Sequence, residues 1–344
     1  MQDSSTVHRF GIDTLAVVAP VRVLPDRLIG QRTKRHLDLK TGEIAEQVTS
    51  ELAGADGVVL NVDLWRSSKP QVRMELSVPR SLRGDNRVPA DAGEVLRAVE
   101  SAREQTSEVV DWLADTDDFV ISRVDLARDF IGIRHPSAML RNLMTVPAHR
   151  MTSIAHMTPD GTGVQTLTRQ TERHTSRLYD RSAMYTAMRR SGAGDSRALA
   201  DADAGVVRYE LQLRRKQAAH EGLSTLGDLH NAPLFQIAHR FFSERCRFDS
   251  VVASPTWKLS RAWQQHCGQT DAKSPLTTAV LGQLVLDAFH LKGEANPRTQ
   301  AKYRRAFETA GLMPQDLLAA DVTPVQLDFA GGRLRRLEEL DLAA

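Results

Sequence analysis

The segment "RHTSRLYDRSAMY", residues 173–185, sets a tyrosine between two arginines, each two residues away: Arg177, Tyr179 and Arg181. In a strand, side chains alternate faces, so these three would share one face. A phenol flanked by cations suits attack on a phosphate. Its ordinary pKa is about 10, and neighbouring positive charge favours the phenolate. The product would be a phosphotyrosyl–DNA bond and a free 3′ hydroxyl, which is covalent catalysis in two steps. A solvated edge strand is the plainer reading of the same residues.

Two further segments show the same layout. In "VVRYELQLRR", Val207, Tyr209, Leu211 and Leu213 take one face; Arg208, Glu210, Gln212 and Arg214 take the other. In "FVISRVDLARDF", Val120, Val124 and Leu126 oppose Arg123, Asp125 and Asp129. If the three strands are neighbours, one polar surface collects carboxylates, guanidiniums and the phenol. Carboxylates are hard oxygen ligands, and one or two suffice to hold Mg²⁺ or Mn²⁺ beside a phosphate. Asp125 and Glu210 are the first candidates for such ligands, and Asp129 the next. Arg123, Arg177, Arg181 and Arg208 are candidate phosphate contacts. Each strand taken alone also reads as a surface ion pair worth under about 1 kcal/mol.

The elements needed to position these residues are legible. Residues 11–25, 56–67, 71–82 and 119–133 read as strands. Residues 91–114 read as a long amphipathic helix capped by Asp91, and 135–145 as a short helix with Pro136 in its first turn. "MTSIAHMT" and "GVQTLTRQ" read as a hairpin around "PDGTG", and 205–217 as a strand running into a helix. "VRMELSVPR" (72–80) resembles "VRYELQLRR" (207–215), and "GIDTLAV" (11–17) resembles "SRVDLAR" (122–128), pairing Asp13 with Asp125 and Glu75 with Glu210. This suggests a duplicated strand–strand–helix unit. After residue 222 the pattern turns helical, with Asn296 and Pro297 opening a basic, aromatic-interleaved helix. The expectation is an α+β fold: an antiparallel-sheet catalytic domain over 1–222 and a helical domain over 223–344.

Composition sets the outer limits. The chain has 344 residues, 41% hydrophobic and 26% charged, with a formal net charge of +2. That is a globular composition, and net charge alone does not announce nucleic acid. Its distribution says more: residues 134–190, which contain Tyr179, hold nine arginines against Asp160, Glu172 and Asp180, though a GC-rich coding bias would also enrich arginine. No apolar run reaches the roughly 20 residues of a membrane span, and the N-terminal residues lack a signal-peptide layout. Cys246 and Cys267 are far from any CxxC spacing, so they read as reduced thiols of a cytoplasmic protein. No His-x-His pair and no P-loop pattern occurs.

In order and spacing, "FVISRVDLARDF", "RHTSRLYDRSAMY" and "VVRYELQLRRKQAAHEGLSTLGDL" resemble the replication initiation proteins of filamentous phages, the gene II product family of phage and plasmid replication proteins. "GIDTLAVVAP", "MELSVPRSLRGDN" and the region near "YRRAFETAGLMPQDLL" extend the likeness over most of the chain. The resemblance implies a metal-dependent endonuclease and strand transferase that nicks an origin, starts rolling-circle synthesis and rejoins the displaced strand. It maps the nucleophile to Tyr179 and the two Arg-x-acid strands to Arg123–Asp125 and Arg208–Glu210. It implies origin DNA, displaced single-stranded DNA and a host helicase and polymerase as partners. The chain departs from the family at Asp180–Arg181, where an apolar or small residue and then lysine often stand. Tyr185, His174 and Glu75 are further residues whose part, if any, the sequence leaves open. A non-catalytic origin-binding protein or repressor, an initiator or relaxase of a plasmid or integrative element, and a hydrolytic nuclease are the competing readings.

Overall fold

The structure is a computed structural model. It describes residues 10–23, 32–37, 44–51, 58–63, 71–107, 110–148, 150–158, 164–190, 197–250, 252–254, 298 and 323–336. Helices and a mostly antiparallel sheet give an α+β fold. The strands are β1 (Phe10–Val23), β2 (Arg32–Leu37), β3 (Ile44–Glu51), β4 (Val58–Asp63), β5 (Gln71–Ser77), β6 (Val110–Trp112), β7 (Val120–Phe130), β8 (Thr152–Met157), β9 (Val164–Gln170), β10 (His174–Asp180), β11 (Val207–Arg214), β12 (Val252–Ser254), β13 (Thr323–Asp328) and β14 (Arg333–Arg336). The helices are α1 (Val78–Arg83), α2 (Ala92–Thr106), α3 (Pro136–Thr145), α4 (Arg181–Arg190), α5 (Arg197–Ala202), α6 (Arg215–His220) and α7 (Leu234–Arg240).

The large sheet runs β2-β3-β4-β5-β1-β7-β11-β10-β9-β8, with β6 paired to β1. Read from either edge, the order is a four-strand meander followed by the strand that began the unit. β1 and β7 meet antiparallel at the centre. β5 against β1 answers to β11 against β7, and each of β5 and β11 runs directly into a short helix, α1 or α6. The register puts Thr14 opposite Asp125 and makes Asp13 the extra residue of a bulge. The two aspartates matched in the sequence therefore meet at the middle of the sheet.

One face is apolar, as the alternation predicts. Val207, Tyr209, Leu211 and Leu213 are fully buried, with Val124, Leu126, Leu167, Leu178, Val72, Met74 and Leu76 beside them. α2 and α3 add Val95, Val99, Met139, Leu140 and Leu143 to the same core. α2 opens with a capping box: Asp91 accepts from the Glu94 amide, and Glu94 accepts from the Asp91 amide. The helix expected to reach residue 114 stops at Thr106. Val110 to Trp112 instead pair with β1, and Trp112 stacks on Phe119. The strand read over 71–82 ends at Ser77, where Pro79 falls in the first turn of α1.

The boundary placed near residue 222 falls inside this core. Ile237, Phe241, Phe242 and Phe248 pack with Tyr209 and Phe130, and Phe329 of the β13–β14 hairpin packs among them. Buried Arg128 donates to the Phe329 and Ala330 carbonyls, and the Ile131 amide to that of Gly332. Gly332 has φ +60°, and a Cβ there would meet Arg128 Nη2 at 2.8 Å. The helices expected at 256–267, 274–293 and 296–312, with Cys267, lie outside the described residues apart from Arg298. Among the described residues no helix is long and apolar enough to cross a membrane.

Candidate functional site

The other face of the sheet is polar, and its register writes the site in rows. Asp129, Arg208, Tyr179, Thr166 and His156 stand side by side across β7, β11, β10, β9 and β8. The next row is Ala127, Glu210, Arg177, Thr168 and Ile154. The third is Asp125, Gln212, Thr175, Gln170 and Thr152. Strands 120–130, 174–180 and 207–214 are thus neighbours, and Asp125, Tyr179 and Glu210 share a face.

Tyr179 is 7% exposed, and its hydroxyl donates to Glu210 Oε1 at 2.5 Å. Burial pushes the phenol well above its ordinary value, and the charge of Glu210 adds to this; Arg208 opposes both. The expectation that flanking arginines favour the phenolate is reversed here. Burial also raises the Glu210 carboxyl, to about 7, with the charge of Asp13 acting in the same direction. Asp125 is raised by burial and by Asp13, against the pull of Arg123. Asp13, Asp125 and Glu210 thus crowd together on the side of Tyr179 that faces the centre of the sheet.

Asp129 has a different role from the one expected. It is 3% exposed, and its carboxylate accepts from Arg208 Nε at 2.6 Å, Arg208 Nη2 at 3.0 Å and Arg181 Nη1 at 3.0 Å. It neutralises two buried guanidiniums. Arg208 also reaches Asp13 at 3.3 Å and the Asn86 and Arg87 carbonyls. Burial works against its charge, and Asp129 overcomes that, holding it above its ordinary value. Arg181 meets Asp203, the Arg87 carbonyl and the Tyr185 hydroxyl. Both arginines have zero exposure, so neither presents its guanidinium to solvent. Together they hold residues 86–90 over the polar face. At Gly11 that segment comes so close that a Cβ would lie 2.3 Å from the Ala90 oxygen.

β10 ends at Asp180 and Arg181 begins α4, yet its guanidinium still reaches Asp129, in the same row as Tyr179. Asp180 caps the helix by accepting from the Ala183 amide. Tyr185 is buried against Arg181 and Asn86. His174 lies on the apolar face, bonded to Thr171 and set edge-on to Phe241, so it faces away from Tyr179. Glu75 accepts from Arg73 at 2.7 Å and Arg123 at 2.8 Å, and Arg123 binds Asp125 through two nitrogens. These pairs line the sheet from β5 to β7. Arg177 is half-buried, and among the described residues no hydrogen bond or ion pair holds it.

Asp13 is the site residue that the strand patterns did not single out. The signal was its match to Asp125 in the repeated segments. Among the described residues no three acid, histidine or cysteine side chains already stand as a metal cage. Comparisons with protein-family models, with curated proteins and with solved structures found no match.

Proposed function

We propose that the chain is a nicking and strand-transfer enzyme that initiates rolling-circle replication, with Tyr179 as nucleophile. The observation that carries this reading is the 2.5 Å contact from Tyr179 Oη to Glu210, in a cluster that also holds Asp13 and Asp125. The phenol is poorly ionised by itself, so a base beside it is required. Glu210, with its carboxyl near pH 7, accepts the phenol proton as Tyr179 Oη attacks phosphorus. The P–O3′ bond breaks, the 3′ oxygen leaves and takes a proton, and the 5′ phosphate stays on Tyr179. The guanidinium of Arg177, which no described residue holds, is on the same face and suits a flanking phosphate.

The donor chemistry around Tyr179 fits Mg²⁺ or Mn²⁺. Asp13, Asp125 and Glu210 offer hard oxygens, and Asp13 already raises both of its neighbours by like charge. Of these, Asp13 and Asp125 would hold the ion, leaving Glu210 to take the proton; when bound, the ion would stabilise charge on the scissile phosphate. Asp129 does not fit, because its oxygens are held between two guanidiniums of zero exposure; Asp125 would bind an ion only by releasing the partly exposed Arg123, which holds both of its oxygens.

The test is a covalent-adduct assay on supercoiled DNA carrying the sequence that flanks the coding region, with Mg²⁺ or Mn²⁺. The expected result is a denaturant-resistant protein–DNA band that Tyr179→Phe loses. Nicks without the band would indicate a hydrolytic nuclease. Specific binding with neither nick nor band would indicate an origin-binding protein.

A further inference from the structure

The polar face differs in charge on its two sides of Tyr179. Toward β7, β1 and β5 it carries Asp129, Asp125, Asp13 and Glu75, each paired with one or more of Arg208, Arg181, Arg123 and Arg73. Toward β9 and β8 it carries no acidic residue: the two strands read "VQTLTRQ" and "TSIAHM". On the first side those guanidiniums are already taken by the acids, leaving none of them for a phosphodiester chain from Tyr179; on the second no carboxylate opposes one. The second side also holds Arg177, whose guanidinium is not bonded within the described residues.

The rows give that side its texture. Beyond Tyr179 come Thr166 and then His156; beyond Arg177 come Thr168 and then Ile154. Two strand spacings put β8 about 10 Å from β10. The threonines are short and neutral, so they form a low floor. His156 is exposed, and Ile154 is 37% exposed on a face that is otherwise polar. At the edge, the imidazole offers a ring face for a base to stack on, and Ile154 an exposed apolar surface beside it. Only an unpaired strand turns its base faces outward.

We infer that the Arg177–Thr168–Ile154 and Tyr179–Thr166–His156 rows form a track for single-stranded DNA running from the nucleophile to the β8 edge. This rests on reading Tyr179 as the nucleophile. Arg177 takes a phosphate, the threonines let the backbone pass, and His156 with Ile154 stacks a base. The displaced strand is thereby held beside the tyrosine that must rejoin it.

The full chain is titrated into fluorescein-labelled oligothymidylate of about 12 nucleotides and followed by anisotropy. Ile154→Ala combined with His156→Ala is expected to weaken binding about tenfold or more. Arg177→Ala is expected to weaken it and to lower the salt slope by about one. Leu113→Ala, at a 52% exposed position just past β6, should bind as the parent does. His156→Trp adds a gain-of-signal readout, with tighter binding and indole emission quenched by oligothymidylate. Unchanged affinity in the double variant, an unquenched indole, or duplex DNA that competes as well as single strands would overturn the track. The adduct assay keeps the two readings apart. An adduct with no effect of the β8 variants removes the track alone; weakened binding by those variants with no adduct removes the nucleophile and leaves a single-strand platform.

Discussion

Tyr179 and Glu210 are not register partners. Tyr179 sits opposite Arg208, and Glu210 opposite Arg177, so the phenol reaches its carboxylate on the diagonal between β10 and β11. The diagonal gives each of the two residues a cation at its side. It also makes the contact sensitive to a change at either position. Tyr179→Phe is expected to remove all covalent adduct while costing about 1–2 kcal/mol of stability, the loss of one buried hydrogen bond. Denaturant melts beside the adduct assay check both halves.

Glu210 should govern the pH response of stability. Its carboxyl is held near 7 in the fold, above its ordinary 4.5. Above 4.5 the unfolded chain binds fewer protons than the native one, so this group costs stability as pH rises from 4.5 to 7, after which the loss is complete. Glu210→Gln stays uncharged and can still accept from Tyr179. It is expected to exceed the parent by on the order of 1–3 kcal/mol at pH 8 and to match it near pH 4.5. Urea melts across that range read the difference. A constant gap at every pH would reject the assignment.

Asp129 and Asp13 should separate structure from chemistry. Asp129→Ala leaves Arg208 and Arg181 buried with too little negative charge, and is expected to destabilise by about 3–5 kcal/mol. Asp13→Asn touches a bulge residue with a 3.3 Å contact to Arg208 and a 3.2 Å bond from the Thr14 hydroxyl, and should fold while losing adduct formation. The measurements are thermal unfolding for the first variant and, for the second, the adduct assay at several Mn²⁺ concentrations.

The β13–β14 hairpin should behave as part of the sheet domain. Phe329 meets the rings of Phe10, Phe130, Tyr209, Phe235 and Phe242. Phe329→Ala is expected to cost about 3–5 kcal/mol. It should do so in one cooperative transition shared with the indole signal of Trp112, which lies near the far end of β1. Two separate transitions would show that residues past 222 fold on their own.

The sequence pattern carried the sheet further than the site. Alternation in β7, β10 and β11 is a local property, so it was enough to put Asp125, Tyr179 and Glu210 on one face. It could not tell that Arg208 and Arg181 point at Asp129, because those contacts span 79 and 52 residues. Arg181 was misread as a phosphate contact for the same reason: Asp129 and Asp203 take up its buried guanidinium. Val110 looked helical by spacing, yet pairing with Val23 of β1 won. β2 and β3 fall in "RTKRHL" and "IAEQVTSE", whose mixed polar composition gave no strand signal.

The mirrored strand order has a consequence for synthesis of the chain. Its two central strands supply Asp13 and Asp125, and the base arrives only with β11, 197 residues after Asp13 on the chain. Contacts of such separation form late, because loop closure precedes their reward. A nascent chain that already carries Tyr179 therefore has no Glu210 beside it, and a protein interrupted before Val207 has a nucleophile without its base. On the proposed reading, the capacity to cut DNA is withheld from every incomplete copy of the chain that stops short of β11.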